Sequence, residues 1–140
     1  MNLNSGIAAF ESKHFNTAIP MLKPFAEEGH PGAMYRMAIM AQNGLGMVKD
    51  EQLAARYMLG AAEAGEPLAM HGIGFMYMEG DCVPQSADKA IEWFTKAAGE
   101  GLIGSMTTLA MMYHQGTAGL DVDLAKAKEW YVKAGFDDML

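Results

Sequence analysis

Residues 65–101 read GEPLAMHGIGFMYMEGDCVPQSADKAIEWFTKAAGEG. The order is a helical pattern, a glycine-bearing loop, a second helical pattern and a closing glycine. The same order recurs on both sides. Gly29, Gly65 and Gly101 are spaced 36 residues apart. At that spacing Ala33 falls on Ala69 and Ser105, Met37 on Ile73 and Leu109, and Ala38 on Gly74 and Ala110. Gly44 falls on Gly80 and Gly116, Ala54 on Ala90, and Tyr57 on Trp93. In the last unit the loop is one residue longer, which makes Ala127 and Trp130 the partners there. A fixed period of this length is the mark of a repeat architecture, in which each unit covers its neighbour's apolar side.

Each unit carries two helical patterns. The first, helix A, is predicted over 31–42, 67–78 and 103–115. The second, helix B, is predicted over 51–63, 87–99 and 124–134. Pro31 and Pro67 stand where a first-turn proline is tolerated. Asp50, Ser86 and Asp123 each precede the repeated alanine by four residues, as N-caps do. Gly29, Gly65 and Gly101 close helix B, where a left-handed residue is wanted. Small residues (Ala38, Gly74 and Ala110 on helix A; Ala54, Ala90 and Ala127 on helix B) let the two helices approach closely. The N-terminal stretch, residues 6–29, reads as a shortened unit with helices near 3–12 and 15–27. Pro20 and Pro24 predict that its second helix is kinked or starts late.

These residues resemble the Sel-1-like repeat family, relatives of the tetratricopeptide repeats. The middle unit matches through Ala69, Ile73, Gly74, Tyr77, Gly80, Val83, Lys89, Ala90, Trp93, Phe94, Lys96, Ala97, Ala98 and Gly101. The last unit matches through Leu109, Ala110, Tyr113, Gly116, Lys126, Ala127, Trp130, Tyr131, Lys133 and Ala134. The first full unit is weaker, with Ala41 for the tyrosine and Tyr57 for the tryptophan. The resemblance implies an all-α fold: a right-handed α-solenoid of four antiparallel helix pairs, three full repeats plus the shortened pair. It also implies a protein-interaction scaffold or adaptor, of a kind widespread in bacteria. We read 1–140 as a single domain: a hairpin over 1–29, repeats over 30–65, 66–101 and 102–136, and a tail over 137–140. The last unit lacks a closing glycine at the expected place, because Gly135 falls early. Its outer side is expected to be covered by the tail, a partner or a second copy.

Composition narrows the function. The 140-residue chain has a formal charge of −7. An acidic surface argues against nucleic acid or an anionic membrane as chief partner. The single cysteine, Cys82, excludes an internal disulfide framework. No apolar run approaches the roughly 18 residues of a membrane span. The first residues lack the basic and apolar regions of a signal peptide, which predicts a cytoplasmic chain, or a periplasmic or secreted one if a leader is removed. His71, His114 and Glu79 lack the paired spacing of a metal site, so no metal is expected. Cys82 has no neighbouring base, and no glycine-rich loop follows a strand. We expect no catalytic residues and no cofactor.

The unusual surface is the side of helix A that faces away from its own core stripe. It carries Tyr35 and Ile39, then His71, Phe75 and Met78, then Thr107, Met111 and His114. Ile39, Phe75 and Met111 are in register at 36 residues. Gln42, Asn43, Glu79 and Gln115 are expected to form a polar rim at one end. Either neighbouring helices bury this ladder, or it is a partly exposed groove for a peptide or another protein. Nine of the 14 methionines lie on the A helices, and methionine adapts to varied partners. We therefore expect a non-enzymatic scaffold that binds through this face. Two alternatives stand beside it. One is an immunity or inhibitor-type protein that neutralises a bacterial toxin or enzyme. The other is a self-assembling module, a homodimer formed through the C-terminal end around Trp130, Tyr131 and Phe136.

Overall fold

The computed structural model describes residues 2–140. Among the described residues the protein is all-helical, with eight α-helices and no strand. The chain divides into two compact units, residues 1–70 and 71–140. The first holds α1 (Leu3–Glu11), α2 (Phe15–Glu27), α3 (Pro31–Asn43), α4 (Glu51–Glu63) and the first turn of α5 (Pro67–Glu79). The second holds the rest of α5, then α6 (Ala87–Gly99), α7 (Ile103–Gln115), a short turn at Thr117–Gly119 and α8 (Leu124–Lys133). Consecutive helices form four antiparallel pairs: α1 with α2, α3 with α4, α5 with α6, and α7 with α8.

Local chemistry sets the helix limits. Side chains of Asp50, Ser86 and Asp123 accept hydrogen bonds from the backbone N–H of Leu53, Lys89 and Lys126 at 3.1, 3.2 and 3.1 Å. Each such cap is worth about 1 kcal/mol. The same three residues also tie helix B to helix A. Their own N–H groups donate to the carbonyls of Ala41, Tyr77 and Tyr113, each at 2.9 Å. One repeated bond thus fixes the loop that separates the two helices of a pair.

The last helix ends differently from expectation. Gly135, with φ of +94°, closes α8 as Gly101, with φ of +90°, closes α6. Gly135 N–H donates to Val132 O and Phe136 N–H to Tyr131 O, matching the bonds of Gly101 to Ala98 O and Leu102 to Ala97 O. This is the glycine-closed helix end in which two orphan carbonyls are satisfied together. The closing glycine is therefore present. It comes early because α8 has 10 residues where α6 has 13.

α2 spans Phe15–Glu27, the limits expected from the sequence, and its prolines do not delay its start. Pro20 and Pro24 are four residues apart, and both are exposed. The carbonyls they leave without an N–H partner, Asn16 and Pro20, lie on the solvent side, where water can serve them.

The core of the second unit gathers Met78, Ala90, Phe94, Ala98, Leu109 and Met112, flanked by Tyr77, Ile91, Met106 and Trp130. Ala110, Ala127 and Tyr131 join α7 to α8. In the first unit Leu22, Met40, Ala41, Ala54 and Met58 are buried at 2 % exposure or less. Lysines cover the framework aromatics of the second unit. Lys96 lies 4.4 Å from the Trp93 ring and Lys133 4.4 Å from the Trp130 ring. Lys89 and Lys126 each lie 5.3 Å from the rings of Tyr77 and Tyr113. Each repeat of this unit therefore spends two lysines on its own rings.

Candidate functional site

Helix periodicity brings five of the expected residues together. A cleft of about 170 Å³ in the second unit is lined by Phe75, Met78 and Glu79 of α5, by Met111 and Gln115 of α7, and by Thr108, Met112 and Thr117. Phe75 and Met111 are 44 % and 46 % exposed. They are equivalent residues of successive repeats, so the A helices present them side by side. Met112 and Met78 are at 1 % and 8 % and belong to the core cluster. Met78 was expected as an exposed anchor. It forms part of the floor instead, because its position faces α6 as well as the cleft.

The rim is polar at one end. Glu79 is the last residue of α5 and Gln115 the last of α7, so the carboxylate and the amide mark the carbonyl ends of both helices. Both are exposed. Thr108 and Thr117 also line the cleft, outside the residues expected from the sequence. Thr117 follows the helix, and its place could not be read from helical spacing.

Three expected residues face elsewhere. His71 Nδ1 lies 2.8 Å from Ser105 Oγ, and its ring centroid is 5.1 Å from that of Phe94. Ser105 is fully buried, so His71 provides the partner its hydroxyl needs. Burial of the imidazole lowers the His71 pKa from its ordinary value. His114 turns toward Tyr131, with Nδ1 3.5 Å from the phenol oxygen and the rings edge to face at 6.2 Å. The Thr107 hydroxyl donates to Gly104 O of its own helix at 3.0 Å.

Tyr35, Ile39 and Gln42 lie on α3 in the first unit, all half-buried. Burial raises the Tyr35 pKa above its ordinary value; neighbouring Arg36 opposes the rise, while Glu66 and Glu11 add to it. Arg36 itself is held by Glu11 at 3.4 Å and by Gly32 O at 3.0 Å.

Residues 31–66, 67–102 and 105–135 each match the family described as Sel1 repeat. The chain is 32% identical over 111 residues to chitin synthase regulatory factor 2 of Schizosaccharomyces pombe, covering 73% of this chain and 22% of that protein. Its fold is similar to that of a Sel1 repeat protein from Oxalobacter formigenes, with TM-score 0.84 and 24% identity over 99% of this chain and 56% of the other. It is also similar to c5321, described as a protective antigen of uropathogenic Escherichia coli strains with an SLR fold. There the TM-score is 0.80 and identity 29%, over 89% of this chain and 26% of the other. The chain therefore spans between about a fifth and just over half of these relatives. Among the described residues no helix is long and apolar enough to cross a membrane.

Proposed function

The chain belongs to the Sel1 repeat family, and from that premise we propose that it is a non-enzymatic adaptor holding a segment of another protein on the exposed face of its A helices. Sel1 repeat proteins generally mediate protein–protein interactions. The observation that carries the reading is the pairing of Phe75 with Met111. Two large apolar side chains, one repeat apart, keep nearly half their surface in water over a floor of Met78 and Met112. Apolar surface set in a concavity with a polar rim is the arrangement a partner side chain fills. Glu79, Gln115, Thr108 and Thr117 supply the few polar groups that fix orientation. Tyr35, Ile39 and Gln42 occupy the same repeat positions on α3 and are proposed as contacts of the same kind. His71, Thr107 and His114 make their bonds away from the cleft, so their proposed role is to hold the helices rather than to touch the partner.

Changing Phe75 and Met111 together to Asp tests the reading. Partners crosslinked to the wild-type protein in an extract of its host are expected to be lost from the double variant. Helical content by circular dichroism is expected to be unchanged, because both side chains already face water. Partners captured equally by both proteins would contradict the proposal.

A second reading is self-association through the C-terminal end. Val132, Phe136, Met139 and Leu140 are each between 45 % and 48 % exposed. Light scattering at several concentrations distinguishes it, because only self-association makes the apparent mass rise with concentration.

A further inference from the structure

The cleft on α5 and α7 combines an apolar floor with a carboxylate that has no counter-charge. Residues 71–140 contain five lysines, no arginine and ten acidic residues, a formal charge of −5. All five lysines lie on α6 and α8, and four of them cover tyrosine or tryptophan rings. On α5 and α7 the only fixed charge is Glu79. Among the described residues Glu79 makes no ion pair.

Its position sharpens the point. Glu79 ends α5, where the helix dipole is negative and an acidic residue is unfavourable. No basic residue stands in that last turn to offset it. The equivalent residues of the neighbouring repeats, Asn43 and Gln115, are uncharged. The cleft also abuts the carbonyl end of α7 at Gln115. A carboxylate and the negative ends of two helices thus converge beside exposed Phe75 and Met111. The carbonyls of Tyr77 and Met78 are met by the Ser86 N–H and the Gln85 amide, but no cation among the described residues meets the Glu79 carboxylate. A local choice that opposes its own helix in this way points to a role outside the fold.

We propose that this cleft selects a basic amphipathic peptide segment: an apolar side chain seats between Phe75 and Met111, and a lysine or arginine pairs with Glu79. The proposal rests on the partner-binding reading of the same groove and names the chemistry of its ligand. A rim charge of this kind governs partner choice and salt dependence more than total affinity.

The test is selection from a randomised peptide library displayed on phage. Binding is to the wild-type protein, with counter-selection on the Phe75→Asp/Met111→Asp variant, which removes peptides attracted merely to an acidic surface. Phe75→Ala/Met111→Ala replaces that variant if circular dichroism shows it has lost helix. Surviving peptides are expected to be rich in lysine or arginine beside an apolar residue. They should weaken about fivefold or more on Glu79→Lys, and less on Glu79→Gln. Binding should also weaken as salt rises. Groove-dependent peptides that are neutral or acidic and indifferent to Glu79→Lys would overturn the choice of a basic ligand while leaving the groove in place. A library whose wild-type binders are all lost to the counter-selection, or that yields none, would overturn the groove itself.

Discussion

His71 Nδ1 and Ser105 Oγ meet at 2.8 Å, joining α5 to α7 across one repeat. Ser105 stands where the other repeats have Ala33 and Ala69, and its buried hydroxyl is matched by the one histidine at the Tyr35–His71–Thr107 position.

The burial of His71 makes stability depend on pH. The folded pKa of His71 is lowered, and burial is the cause. In the unfolded chain the imidazole takes up its proton near pH 6.5, and in the folded protein only at lower pH. Below about pH 6.5 the unfolded state therefore binds more protons, and stability falls as pH falls toward the folded pKa. Above about pH 6.5 the contribution is complete. Urea midpoints measured from pH 7.5 down to pH 5.5, with carboxylates common to both proteins, should drop more steeply for wild type than for His71→Gln. Parallel curves would show that His71 carries no such linkage.

Gly74 is fixed by contact with a ring. A β-carbon there would lie 3.0 Å from Cδ1 and Cε1 of Phe94, a fully buried ring that would have to shift to admit it. Gly74→Ala should cost about 1–2 kcal/mol, the overpacking penalty less what alanine's helix propensity returns. A double-mutant cycle with Phe94→Leu checks the assignment. The smaller side chain should remove most of the penalty of Gly74→Ala, whereas additive losses would place its cause elsewhere.

Position 46 of the first repeat recurs as 82 and 118, and the backbone is left-handed at all three. Gly46, Cys82 and Ala118 have φ of +70°, +66° and +59°. Two non-glycine residues thus bear a conformation that costs an L-residue roughly 1–2 kcal/mol. Ala118→Gly should stabilise by up to about 1 kcal/mol, after the extra entropy of glycine in the unfolded chain. Gly46→Ala should destabilise, because its β-carbon would sit 2.8 Å from Cβ and 2.9 Å from the carbonyl carbon of Phe15. Thermal melts of the two variants should shift in opposite directions.

Where the sequence was legible, the signals were local. Asp50, Ser86 and Asp123 cap helices because a short acceptor reaches an N–H three residues on, and that depends on nothing distant. Gly65 and Gly101 likewise announce helix ends. Gly135 falls ahead of the repeat spacing because the last B helix is shorter. The prolines of α2 do not delay its start, because their cost depends on which side of the helix faces water. In the cleft, Phe75 and Met111 followed from register at 36 residues, and Glu79 and Gln115 from their place at helix ends. The pairing of His71 with Ser105 was not legible, since it needs the offset between helices of successive repeats. The left-handed backbone at Cys82 and Ala118 had one signal, Gly46, two residues beyond the aligned Gly44.

The groove is tested most directly by the methionine methyl groups that line it. With 13C-labelled methionine methyls, a partner segment obtained by crosslinking should be titrated into the protein and every methyl resonance followed. The account predicts the largest shifts at Met111, with smaller ones at Met78 and Met112, and none at Met40 or Met58, which are buried in the first unit. Saturable binding that leaves Met111 unmoved would contradict it.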